Sequence, residues 1–142
     1  MSYGEDLLRQ LGAFAPETGM YANLGIRVTG IRERTVELEA YPTTEAHGFA
    51  GPNGPIVHGG AVATIADCAL ACAAVAAAEE GETCTTADLR VEFFRPTQPD
   101  VPVLATGECR HRTRRLAYCS ATPTQSGSVV AEARATIAYL RP

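Results

Sequence analysis

The stretch VHGGAVATIADCALA, Val57 to Ala71, holds the residues best suited to chemistry. His58-Gly59-Gly60 lies where a Pro- and Gly-rich segment meets an alanine-rich one. Glycines at the start of a helix let the backbone approach a ligand closely and leave the first-turn amides unobstructed. Those amides, with the positive end of the helix dipole, suit polarising a carbonyl or holding an oxyanion. The alternative is that Gly59 and Gly60 only permit tight packing there. Asp67 is the only charged residue between Gly59 and Ala78. An ionised carboxylate in apolar surroundings is expensive unless paired, so Asp67 reads as a general base or nucleophile. The alternative is a structural Asp bonded to a nearby hydroxyl or amide. Eight residues separate Gly59 from Asp67, which on one helix is about 12 Å. A catalytic donor must lie about 3 Å from the atom it stabilises. The two groups of one chain therefore cannot act on one carbonyl, and if both do act, they come from two chains sharing a site.

An element must carry these groups. Ala61 to Ala78, AVATIADCALACAAVAAA, is almost wholly apolar and near the minimum length for crossing a bilayer. It is mostly alanine, and Asp67 inside it is costly at membrane depth, so the segment is predicted as a buried core helix over residues 58–80. Residues 1–15 are predicted as an N-terminal helix, with Leu7, Leu8 and Leu11 on one side. Leu24, Ile26 and Val28 alternate, as do Val36, Leu38 and Ala40, predicting two strands joined by a turn over 30–34. Residues 42–57, PTTEAHGFAGPNGPIV, read as one long functional loop.

Beyond the helix the period changes to two. Thr85, Ala87, Leu89, Val91 and Phe93 alternate with Thr86, Asp88, Arg90, Glu92 and Phe94. Val101, Val103, Ala105 and Gly107 form a second series, Leu116, Tyr118 and Ser120 a third, and Ala131, Ala133, Ala135, Ile137 and Tyr139 a fourth. Consecutive strands with short links suggest an antiparallel sheet, and a helix apolar on all sides must be covered on all sides. A curved antiparallel sheet wrapped around one long central helix satisfies both requirements. This is the α+β hotdog fold, formed as a single domain over residues 1–142.

Composition narrows the function. Hydrophobic residues make up 46% and charged residues 20% of the 142, as in a globular protein. The net charge of −4 leaves no basic surplus to neutralise phosphates, which argues against nucleic acid as a partner. The five cysteines (68, 72, 84, 109 and 119) are an odd set with no CxxC spacing, so neither a disulfide framework nor a metal site is expected. The opening residues lack a basic leader followed by an apolar stretch. A cytoplasmic protein with reduced thiols, no membrane span and no cofactor of its own is the resulting expectation.

The run HGG followed by six residues and an Asp resembles the signature of hotdog acyl-CoA thioesterases of the phenylacetyl-CoA (PaaI-like) branch. TTADLRVEFFRP, Thr85 to Pro96, resembles that family's next strand and its Pro-containing turn. Leu24-Gly25-Ile26 resembles its early strand, and VVAEARATIAYL its last. The likeness spans roughly residues 20–140. It implies that the Gly59 amide polarises the thioester carbonyl while Asp67 of the neighbouring subunit attacks it or activates water. It implies that Thr86 holds the water or the carboxylate, and that His58 positions the loop–helix junction. Relatives of this branch commonly pair dimers into tetramers. The family's Asn six residues before the His is Pro52 here, and Asn53 is the nearest substitute.

Smaller signals complete the candidate site. Gly60, with a second first-turn amide, is a candidate for binding the substrate or its CoA. Arg114 and Arg115, in the run His111-Arg112-Thr113-Arg114-Arg115, and Arg95 beside Pro96 are candidates for the CoA phosphates; the alternative for the run is a solvated hairpin tip. Cys68 and Cys72, one turn apart, read as core residues, because no matching His or Cys pair is evident. Cys68 as a nucleophile would need an activating base, and His47 has no evident partner. Two other functions stand beside acyl-CoA hydrolysis: hydrolysis of acyl-carrier-protein thioesters, and non-catalytic acyl-CoA binding.

Overall fold

In the computed structural model, which describes residues 2–142, the chain runs through α1 (Tyr3–Gln10), α2 (Gly19–Asn23), β1 (Arg27–Arg32), β2 (Thr35–Ala40), α3 (Thr44–His47), β3 (Gly48–Gly51), β4 (Gly54–Val57), α4 (Gly59–Ala76), β5 (Thr83–Phe93), β6 (Val103–Arg112), β7 (Leu116–Gln125), β8 (Ser128–Val129) and β9 (Ala131–Leu140). One antiparallel sheet has the order β1-β2-β6-β7-β9-β5, with β8 paired to β7, and it packs around α4. The short strands β3 and β4 form a separate hairpin.

Alanine makes this arrangement possible. It has the highest helix propensity, and its small side chain brings the sheet close to the helix axis. Ile65, Ala66, Ala69, Leu70, Ala73 and Ala74 of α4 are completely buried, against Ala105, Ala117, Ala121, Ala133 and Ile137 of the sheet. A Cβ at Gly107 of β6 would collide with the Ala69 carbonyl, and one at Gly4 of α1 with those of Val75 and Ala76. These two contacts fix how closely β6 and α1 approach α4. α4 is long and apolar enough to cross a membrane by composition, yet it forms the centre of the sheet's core.

Several boundaries and faces differ from expectation. The N-terminal helix ends at Gln10, and Leu11, expected beside the buried Leu7 and Leu8, is 64% exposed. α2 was not anticipated. The central helix ends at Ala76 rather than near residue 80. Residues 42–57 are not one loop but a helical turn and a hairpin, whose tip is Pro52-Asn53. Pro presets φ in such a turn, and Gly54 closes it at a φ of 113°.

The strands after α4 are not a simple meander, because β5 pairs with β9 at the far edge of the sheet from β1. On β7 the buried series is Ala117, Cys119 and Ala121, while Tyr118 is exposed. On β5 the register shifts between Thr86 and Asp88. Such a bulge changes which residues face inward. Cys84 and Thr86 are half-buried before it, and Val91 after it. The single series from Thr85 to Phe93 is therefore broken at Ala87.

Candidate active site

The bulge decides the partner of Asp67. It turns the Thr86 hydroxyl toward α4, where Oγ1 donates to Asp67 Oδ1 at 2.8 Å. Asp67 Oδ2 has no donor among the described residues. The carboxylate is half-buried, on a stripe of α4 that the sheet leaves open, together with Gly60, Ala63, Thr64 and Ala71. These positions recur every three or four residues and so share one helix face. All but Asp67 are small.

At the N-terminus of α4, His58 is the capping residue, and its Nδ1 accepts from the Gly60 N–H at 3.1 Å. That amide is thus occupied, which corrects the expectation that Gly60 offers a free donor. The Gly59 N–H has no acceptor among the described residues. Gly59 has no positive φ, and a Cβ there would meet only the Phe93 ring, at 3.6 Å and 3.7 Å, which is ordinary contact. Packing within this chain therefore does not require glycine at 59. His58 is anchored twice more: its amide donates to the His47 carbonyl at 2.8 Å, and its ring meets Phe49 edge-on at 5.8 Å. His47 proves well partnered, because Nδ1 accepts from the Thr43 amide at 2.9 Å. Nε2 then carries the proton and donates to Asn23 Oδ1 at 2.8 Å.

Gly59 and Asp67 lie on one unbroken helix, so the eight-residue separation holds in the fold. Asn53 is exposed at the hairpin tip, and the length of β4 separates it from His58. Within one chain it is a turn residue and does not join Gly59 or Asp67. The signal available in the sequence was Pro52-Asn53-Gly54 itself, a turn pattern.

The cationic run is divided. Arg112 is largely withdrawn from solvent: Nη1 and Nη2 donate to the two oxygens of Glu82 at 2.9 Å and 3.1 Å, and Nη1 also donates to the Ala77 carbonyl at 2.7 Å. Its guanidinium lies 3.8 Å from the Tyr139 ring centroid. Arg141 also pairs with Glu82. Arg114 and Arg115 are exposed at the turn beside Arg112, at the C-terminal end of α4. Gly59 stands at the other end of that 18-residue helix, roughly 27 Å away. Arg95 is exposed two residues beyond Phe93, at the Gly59 end. Only Arg95 of these candidates therefore accompanies Gly59 within one chain. Glu82 and the burial of Arg112 escaped the sequence reading, and spacing alone carried no signal for them.

The cysteines near Asp67 are not activated. Burial pushes the Cys68 thiol up to about 12, with the negative charge of Cys72 and, more weakly, of Asp67 adding to it despite a hydrogen bond with Tyr21. Burial likewise raises Cys72 to about 11. A protonated thiol is a poor nucleophile, so neither thiol is poised to act as one beside Asp67.

A family model described as the thioesterase superfamily matches residues 54–132. No curated protein matches the chain. Among solved structures, a phenylacetic acid degradation-related protein of Ralstonia eutropha JMP134 is 26% identical with a TM-score of 0.80, over 96% of this chain and 99% of that one. A thioesterase from Haemophilus influenzae is 20% identical with a TM-score of 0.79, over 96% and 90% of the two chains. The PaaI protein of the E. coli phenylacetic acid degradation operon is 18% identical with a TM-score of 0.80, over 98% and 96%.

Proposed function

The chain belongs to the thioesterase superfamily, and on that premise we propose that it hydrolyses acyl-CoA thioesters, with Asp67 as the catalytic carboxylate and the Gly59 amide as the carbonyl's hydrogen-bond donor. The observation that carries this reading is the pair of unfilled valences on α4: a carboxylate oxygen and a first-turn N–H, neither engaged within the chain. As general base, Asp67 takes a proton from water as the water oxygen attacks the carbonyl carbon. The Gly59 N–H stabilises the oxyanion, and collapse breaks the C–S bond and expels the CoA thiolate, which takes up the proton. As nucleophile, Asp67 attacks the carbon itself, the thiolate leaves, and water then hydrolyses the mixed anhydride. In either route Thr86 orients the carboxylate through its 2.8 Å bond. A single turnover in heavy-oxygen water tests the second route, since label enters Asp67 only when water attacks the Asp67 carbonyl carbon of the anhydride.

Because Gly59 and Asp67 of one helix stand about 12 Å apart, the proposal includes a dimer. Residue 63 is midway between 59 and 67, and Ala63 lies on the open, small-residue stripe. Two antiparallel copies of α4 crossing there set each Gly59 opposite the other Asp67, and helices with small contact residues approach to about 8 Å. The outer edge of the 11-residue strand β5 has no partner among the described residues, and it exposes Leu89 and Phe93. Natural proteins rarely leave so long and apolar an edge uncovered, which supports its pairing with a second copy.

Thiol release from a panel of acyl-CoAs tests the reading. Asp67→Ala is expected to lower turnover by about a hundredfold or more, the size of a lost acid–base group. Equal turnover in the variant would remove Asp67 from the mechanism. Absence of turnover in the folded wild-type protein would overturn the reading as a whole.

A further inference from the structure

An apolar cleft of about 400 Å³ lies between the N-terminal segment and α4, and nothing in the chemistry above uses it. We propose that this cleft receives the acyl chain of the substrate, a chain of medium length, and that its two walls, residues 8–21 and α4, set the chain-length preference. The inference rests on the hydrolase reading.

Position is the first support. Ala71, which lines the cleft, lies one helical turn past Asp67 on the same open stripe of α4. Cys84, another lining residue, is two residues before Thr86 on the same face of β5, and its thiol approaches the Ala71 carbonyl at 4.0 Å. A chain whose carbonyl sits at Asp67 and Thr86 therefore has the cleft directly ahead of it.

Chemistry is the second. No charged residue lines the cleft, and its volume falls near the small end of ligand pockets, which span roughly 300–1,000 Å³. The Tyr21 hydroxyl and the Cys72 thiol already bond each other at 3.2 Å, so they offer little to a polar substituent. Leu11 and Met20, 64% and 58% exposed, stand at the cleft with no other burial; a bound alkyl chain would cover them.

Length follows from the helix. From Asp67 to Val75, which lines the cleft at its far end, is eight residues, or about 12 Å. An extended chain advances about 1.2 Å per bond, judged from the roughly 3.5 Å that three backbone bonds span, so the stretch holds at most about ten bonds, an acyl group of up to about eleven carbons. One wall of the cleft, residues 8–21, lies outside the residues 54–132 that the family model matches, whereas the other, Ala71, Cys72, Val75 and Cys84, lies within them together with Gly59, Asp67 and Thr86. One wall of the cleft is thus built by a segment separate from the one that carries the chemistry.

The experiment compares kcat/KM for butanoyl-, octanoyl-, palmitoyl- and phenylacetyl-CoA in the wild type and three variants. Octanoyl-CoA is expected to be the best of the four. Val75→Phe, which fills the far end, should lower octanoyl kcat/KM by about tenfold or more while leaving butanoyl within about twofold. Leu11→Ala and Met20→Ala, at exposed positions that folding tolerates, should each lower octanoyl kcat/KM several-fold and leave butanoyl unchanged. Turnover with a preference for butanoyl- or phenylacetyl-CoA, or a chain-length profile unmoved by the two alanine variants, would overturn the cleft assignment and leave the hydrolase standing. No turnover of any of the four by the folded wild type would remove both.

Discussion

Two carboxylates flank the same helix and live in opposite surroundings. Glu82, just beyond the C-terminal end of α4, is completely buried. Its oxygens accept from both terminal nitrogens of Arg112 and from the Glu79 amide at 2.7 Å, and Arg141 pairs with it as well. Through Arg112 and the Ala77 carbonyl it closes the helix end, where a cation also complements the dipole. Tyr3 reaches the Glu82 carbonyl from α1 at 3.1 Å. Asp67, in the middle of α4, is half-buried with a single hydroxyl partner. A carboxylate saturated with donors holds structure together and has no lone pair left to use. One given a single donor, on a face lined by small residues, keeps an oxygen free for a proton or a carbon. Charge in an apolar setting therefore does not by itself mark a reactive group; what separates these two carboxylates is the number of unfilled partners.

The comparison is sharpest in stability. Arg112→Ala leaves the buried Glu82 carboxylate without its main partner, and removing one member of such a pair costs about 3–5 kcal/mol. Urea unfolding should show that loss for Arg112→Ala. Asp67→Ala should shift the midpoint little while turnover falls by about a hundredfold. A comparable loss of stability in both variants would erase the distinction between the two carboxylates.

Thr86→Val comes next in size. It removes the hydroxyl but keeps the shape, and a hydrogen bond to a charged group is worth about 1.5–3 kcal/mol. Turnover should fall roughly tenfold or more, by loss of kcat more than by a rise in KM. A change confined to KM would make Thr86 a substrate contact rather than a positioning residue.

The smallest effect is in pH. Burial pushes the Glu82 carboxyl up, but the Arg112 hydrogen bond, the Glu79 amide and the charges of Arg112 and Arg141 outweigh it, so its pKa lies below the ordinary value. A depressed carboxylate contributes stability that is fully present above the unfolded pKa, near 4.3 for Glu, and is lost as pH falls through the folded value. The gap in Tm between wild type and Glu82→Gln should therefore narrow steadily as pH is lowered from about 5. A gap independent of pH would mean that charge is not what Glu82 supplies.

How legible was this in the sequence? The alanine-rich helix, the strand pairs before it and the buried faces of β6 and β9 follow from periodicity, because these elements are covered in one consistent phase. β5 misled, because a bulge at Ala87 reverses the face halfway along and no local signal marks it. β7 misled because alanines and cysteines occupy its inner face while Leu116 and Tyr118 take the outer one. The cationic run at the end of β6 read as a possible phosphate-binding turn, yet Arg112 is spent on Glu82, thirty residues earlier in the chain.

The sequence by itself determined that one apolar helix carries a single carboxylate eight residues after a glycine. Helix geometry alone then excludes joint action of the two within one chain. Only the tertiary structure decided which partners these groups have. It gave the Gly60 amide to His58 and left that of Gly59 unbound. It turned Thr86 inward through the bulge, buried Arg112 with Glu82, and opened a cleft beside Asp67. Those outcomes depend on strand register and on contacts between residues distant in the chain, where a shift of one residue exchanges the inner and outer faces of a strand.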